Sequence, residues 1–167
     1  MQKYFKFLTF ILCATEMLMP EVFAYCYNGV GCTCSVNVTG MNFGIYTFLN
    51  KIPVTTTASI NVNCTASTAG AQIGYEITLG TGNSGTYQMR QMNNGSATLN
   101  YNIYTSLAYQ NIWGDATSGT QSVSDNYTIT QILTRYIKYY SAYSVISAAQ
   151  NVPGGIYSDN IVVSVIF

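Results

Sequence analysis

The cysteines are the first residues whose type and spacing suggest chemistry. Cys26, Cys32, Cys34 and Cys64 suit either a metal site or disulfides. Cys32-Thr33-Cys34 leaves one residue between its thiols, and Cys64 has no close partner. That spacing does not match tetrahedral zinc. Two disulfides remain, with three possible connectivities. Cys34 starts one alternating segment and Cys64 ends another, so antiparallel neighbours would bring this pair together. Cys26 and Cys32 would then close a small glycine-containing loop. Cys32–Cys64 is the close alternative, because Cys32 and Cys34 share one face of an extended segment.

Other chemistries find little support. The chain has no histidine, so a Ser-His-Asp triad, a Cys-His dyad and a His-ligated zinc are excluded. Glu76, Asp115, Asp125 and Asp159 offer carboxylates for a glycosidase-type pair, but no two sit in a recognisable motif. Trp113-Gly114-Asp115, with Tyr109 nearby, would suit a sugar-stacking platform; the simpler reading is a core tryptophan and a turn-opening aspartate. Gly80 to Gly85 lacks the lysine and following helix of a phosphate loop and reads as a hairpin loop. Four Asn-x-Ser/Thr sequons begin at Asn37, Asn63, Asn94 and Asn126, as chance allows in such a composition. Only 7% of the 167 residues are charged, six cations against six anions. That balance gives no footprint for nucleic acid and little repulsion between copies. No cofactor, metal or small-molecule substrate is expected, and no catalytic residue.

The elements that must position these residues read as strands. Val36 and Val38 alternate with polar neighbours, as do Ile60, Val62 and Cys64. The pattern recurs at Ile73 to Leu79, Leu99 to Ile103 and Tyr127 to Ile129. Turn signals separate these segments at 80–85, 93–96, 117–119 and 153–155. Residues 131–149 are ambiguous, since Ile132, Leu133, Tyr136 and Ile137 approach helical spacing while Tyr139, Tyr140 and Tyr143 favour a strand. Short strands between regular turns indicate a single β-sandwich domain over residues 25–167.

Both termini carry information. Lys3 and Lys6 precede the apolar run Phe7 to Ala14, and Val22-Phe23-Ala24 places small residues before a cleavage point. Residues 1–24 therefore read as a secretory signal peptide, which places the cysteines in an oxidising compartment. At the other end, Ile161, Val163, Val165 and Phe167 share one face of a last strand, and Val162 and Ile166 make the other face apolar too. Such a strand needs a neighbour on each side. An earlier strand of the chain would cover it, or a partner would add one.

Several motifs in order resemble the spore coat protein U family, the domain that also builds archaic chaperone–usher pili. Cys34-Ser35-Val36 is followed by Met41-Asn42-Phe43-Gly44-Ile45-Tyr46, similar to the family's Cys-x-Val…Phe-Gly-x-Tyr signature. Ile60 to Thr65 resembles its second-cysteine strand. Leu99 to Tyr104 and Ile112-Trp113-Gly114-Asp115 resemble its centre, and Gln150 to Asp159 leads into the terminal strand. The resemblance implies an all-β fold, an incomplete immunoglobulin-like β-sandwich lacking its last strand and completed by a donor strand from a partner. It implies a groove beside Ile161, Val163, Val165 and Phe167 that accepts first a periplasmic chaperone and then, at an outer-membrane usher, a neighbouring pilus subunit. The protein would be exported through the periplasm to a cell-surface pilus or secreted.

One departure bears on the role. Only Tyr25 to Thr33 precede Cys34, and that segment holds two glycines and two cysteines with little alternation. It is a poor donor. The expectation is a minor, adaptor or tip-proximal subunit, serving adhesion or biofilm formation and meeting a surface or glycan receptor. The alternatives are a self-contained exported carbohydrate-binding β-sandwich and a spore-coat component.

Overall fold

The computed structural model describes residues 31–49 and 51–167; the expected signal peptide and Cys26 lie outside them. The described residues form eight strands: β1 (Cys32–Val38), β2 (Val54–Ala66), β3 (Ala71–Leu79), β4 (Arg90–Asn94), β5 (Ala97–Tyr104), β6 (Val123–Ile129), β7 (Tyr136–Ile146) and β8 (Val163–Ile166). A short 3-10 turn, Gly82–Ser84, is the sole helical element among them. The ambiguous stretch becomes β7. Its alternation directs Ala142, Ser144 and Ile146 into the core and leaves Tyr139 69% exposed. Period two wins over helical spacing because β7 pairs with β2 over eleven residues and with β5 beyond.

The strands form two sheets, one ordered β1-β2-β7-β5-β4 and one ordered β6-β3-β8. Every pairing within the ladders is antiparallel. The inner faces meet in one core, built from Ile60, Val62, Ile73, Ile77, Ile103 and Ile146 with Trp113. This is an all-β sandwich of the immunoglobulin-like kind, and among the described residues nothing pairs with the outer edge of β8. β8 spans four residues rather than the seven its composition suggested. Ile161 and Val162 approach β3 only through a single bond, from the Gly80 amide to the Val162 carbonyl at 2.8 Å.

Cys34 stands opposite Cys64 in the β1–β2 register, and the two form a disulfide across 30 residues of sequence. The Cys32–Cys64 alternative is therefore not formed. Cys32 is disulfide-bonded as well. Trp113 is 1% exposed and donates its indole N–H to the Ile77 carbonyl at 3.0 Å. Asp115 accepts from both the amide and the hydroxyl of Thr117, closing a turn. The tryptophan is thus core rather than platform.

A buried cation ties the sheets together. Arg90 has no exposed surface. Its guanidinium donates to the carbonyls of Gly80 and Trp113 and to Asn102 Oδ1, at 2.7–3.1 Å. Burial lowers its pKa from the ordinary value, opposed first by Tyr101 and Tyr87. Here carbonyl dipoles replace water around the charge.

Two stability outcomes follow from these contacts. Replacing both Cys34 and Cys64 by serine should cost about 3–4 kcal/mol on the loop-entropy account, read as a lower urea midpoint. Arg90→Met should cost at least about 3 kcal/mol by stranding the acceptors, with Arg90→Lys recovering only part because an ammonium lacks the planar fork.

Candidate strand-accepting groove

The sandwich is closed unevenly. The inner face of the five-stranded sheet is wider than three opposing strands can cover, and a groove opens beside β8. Its floor is Ala58 and Ile60 of β2, Ala142 of β7, Tyr101 and Ile103 of β5 and Met92 of β4. One wall is Leu79 with Ile161 and Val163, and the other is Val38 to Phe43. The cavity holds about 440 Å³. A second cavity of about 640 Å³ adjoins it, sharing Met41, Phe43, Met92 and Tyr157 and running out to Phe48 and Pro153.

Local chemistry makes the opening. The β1–β2 ladder ends at Val38–Ile60. The Thr39 amide still donates to the Ser59 carbonyl at 2.9 Å. The return bond from the Ser59 amide goes to the Thr39 hydroxyl, at 2.7 Å, instead of its carbonyl. The backbone then leaves β2 through Gly40. Asn42 Oδ1 accepts from the Gly44 amide at 2.8 Å, in a turn whose Gly44 φ of +69° suits glycine. Phe43 swings inward, its ring edge-on to Tyr101 at 5.8 Å. Tyr46 anchors the far end, accepting from the Gln150 amide at 2.7 Å.

The opposite wall is pinned by Asp159. Its carboxylate accepts from the Asn83 amide at 2.7 Å and the Tyr101 hydroxyl at 2.8 Å. Nearby, Ser158 exchanges two backbone bonds with Asn93 of β4. Burial, reinforced by Asp159, raises the pKa of Tyr101. A second polar chain crosses the sheets farther along. The Tyr75 and Tyr140 hydroxyls lie 2.7 Å apart, and Tyr140 donates to Asp125 at 2.6 Å. Burial also raises Tyr75, Tyr127 and Tyr140, and pushes Tyr87 up to about 12.

The four residues expected to flank the groove divide. Ile161 and Val163 line it, Val163 being 6% exposed. Val165, paired with Ile77, and Phe167, its ring 5.7 Å from Tyr75, pack farther along β8 against the core. The floor alanines and Met92 were not singled out from the sequence. The carboxylates each have partners of their own. Glu76 takes a short hydrogen bond from Ser122, Asp125 faces Tyr140 and Lys138, and Asp159 is held as described. No group of three or more metal-ligating side chains occurs among the described residues.

The spore coat protein U domain matches residues 27–164, and the chain belongs to that family. Among solved structures it is similar to a chain of the CsuC–CsuE chaperone–tip adhesion subunit pre-assembly complex from archaic chaperone–usher Csu pili of Acinetobacter baumannii. The TM-score is 0.53 at 23% identity, over 81% of this chain and 40% of that one. The likeness is one of fold, and the chain spans well under half of its neighbour's length. No curated protein matches the chain.

The raised tyrosines fix a pH dependence. Each phenol is held neutral by the fold beyond its ordinary value of 10.0, while the unfolded chain ionises near that value. Above it the unfolded state binds fewer protons, so folding stability falls as pH rises. Urea midpoints should hold level to about pH 9 and decline from about pH 10 upward. A midpoint that stays flat or rises to pH 12 would contradict the buried phenols.

Proposed function

We propose that this protein is a structural, non-enzymatic subunit of a surface pilus, built into the fibre by strand addition to its open groove. The observation that carries the reading is the apolar-lined groove that opens beside the unpaired edge of β8. An unpaired strand edge beside an apolar groove is a template for another strand. The family and the pilus-derived fold neighbour support it. On this reading residues 1–24 are removed on export, and Cys26 pairs with Cys32 in the mature domain of residues 25–167. A periplasmic chaperone first fills the groove beside Ile161, Val163, Val165 and Phe167. A neighbouring subunit then replaces it at an outer-membrane usher.

The finer placement is a minor, adaptor or tip-proximal position, with a part in adhesion or biofilm formation. Its support is the short Tyr25–Thr33 segment, whose glycines and cysteines make a weak donor.

Periplasmic co-expression with and without a chaperone of the archaic chaperone–usher class tests the reading. The expected result is a soluble, co-purifying complex with the chaperone and aggregation or degradation without it. A stable monomer needing no chaperone would overturn it. The placement has its own check, because a peptide of residues 25–35 should bind poorly to a homologous subunit with an empty groove. Tight binding would return the protein to the main rod.

A further inference from the structure

The outer face of the five-stranded sheet, opposite the groove, carries no charge among the described residues. Its side chains alternate with the core residues of β1, β2, β7, β5 and β4, and most are hydroxyls, amides and tyrosines. The two charged residues of these strands turn the other way, Arg90 into the core and Lys138 toward Asp125. Arg135, just before β7, reaches only the end of the face, at Asn63. A solvated face ordinarily mixes both signs of charge, so this neutrality needs a cause.

Tyrosines form a strip across that face. Tyr139 is 69% exposed and stands opposite Asn61. Four residues on, Tyr143 stands between Thr57 of β2 and Tyr104 of β5. Between the two tyrosines the face drops to the short Ser59–Ser141 pair. Tyr109 extends the strip, its ring edge-on to Tyr104 at 5.5 Å. Its backbone is strained, with φ at +51°, in a loop closed by the bond from the Thr105 amide to the Asn111 carbonyl at 3.0 Å. Bulky residues seldom adopt that conformation, and those that do gather at ligand sites.

We propose that this strip binds a neutral polysaccharide of flat, equatorially substituted sugars, such as a β-glucan. The site lies on the other side of the sheet from the groove and does not depend on the strand-addition reading. Sugars of this kind present a C–H face that stacks on a phenol ring and a rim of hydroxyls. Tyr139 and Tyr143 lie about 13 Å apart along β7, at about 3.3 Å per residue, so an extended chain laid along the strand meets both. The Ser59 hydroxyl donates to Asn61 Oδ1 at 2.7 Å, which leaves the Asn61 amide N–H groups to donate to sugar oxygens. Other occupants fit the face less well. A charged polymer finds no counter-charge, and an anionic membrane finds no basic cluster. A second copy packed sheet on sheet would bury the Asn37–Asn61 cross-strand pair without partners. A polyhydroxyl chain and its bridging waters supply those partners.

The test is affinity electrophoresis of the full exported chain, purified with a chaperone where it needs one and with that chaperone alone as control. The gels contain mixed-linkage β-glucan, hydroxyethyl cellulose or, as an anionic comparison, alginate. The glucans should retard the chain and alginate should not. Tyr139→Ala should weaken binding at least about tenfold, and Tyr139→Phe should stay within about threefold of the natural chain, because stacking uses the ring. Asn61→Asp, which removes the donor and adds a charge, should weaken binding independently. Thr98→Ala, on the same face but away from the strip, should leave it unchanged. The Tm of Tyr139→Ala should move by less than about 2 °C, since the ring is mostly exposed. Retardation by neither glucan, equal retardation by alginate, or binding untouched by both Tyr139→Ala and Asn61→Asp would overturn the site. A change of oligomeric state on Tyr139→Ala would also overturn it, by giving the face to a second copy.

Discussion

A five-stranded sheet packed on a three-stranded one leaves a groove over its inner face. That mismatch governs this structure. Antiparallel sheets stay soluble by burying one face and solvating the other. Here part of the inner face, from Ala58 across to Met92, lies under a groove instead of a strand. The backbone of β8 adds to the mismatch, since its outward amides and carbonyls find no ladder partner among the described residues. An unpaired backbone edge and an apolar groove lie side by side, and one added strand would fill both. A loose loop covers apolar surface but seldom supplies a ladder of hydrogen bonds.

A gap of this kind tends to collapse, and the surrounding contacts oppose collapse. The Cys34–Cys64 disulfide fixes β1 on β2 at the end of the sheet away from Gly40. Arg90 joins the Gly80 and Trp113 carbonyls to β4 and β5. Asp159 holds the approach to β8 against the 3-10 turn and Tyr101. The Tyr75–Tyr140–Asp125 chain bridges the sheets beyond the groove. These polar ties are directional where hydrophobic packing is not. They keep the sheets apart at a set spacing, whereas packing alone would favour closing the void.

Much of the architecture was legible in the sequence because it rests on local period-two alternation. Strand β3 and the centre of β5 appear where Ile73 to Leu79 and Leu99 to Ile103 place them. Trp113 read as core and is core. The 131–149 stretch resisted, because apolar residues near helical spacing competed with tyrosines; only the partner strands β2 and β5 resolve it. The last strand was overestimated for a related reason. Apolar composition marks Ile161 as strand-like, yet Asp159 and Asn93 hold the preceding backbone elsewhere. Arg90 and the alanine floor were invisible. A lone arginine carries no sign of burial in sequence, and that two alanines stand opposite one another depends on the register of β2 with β7.

The position of the opening has a chemical cause that can be traced to one residue. Had Thr39 offered its carbonyl to the Ser59 amide, the ladder would have continued toward Gly40 and Met41 opposite Ala58 and Thr57. β1 would then have run the length of β2 and Phe43 would have stayed at the sheet edge. The hydroxyl intercepts that amide, an instance of a threonine side chain competing with the ladder for a backbone partner. The chain then leaves β2 at Gly40. The strap that results carries Met41 and Phe43 to the groove wall, tethered to β2 by the bond from the Thr56 hydroxyl to the Asn42 carbonyl. An entering strand would therefore meet a fixed ladder on the β8 side and a lightly held segment on the other. Ladder bonds on the first side set register, because a one-residue slip would turn every inward side chain outward.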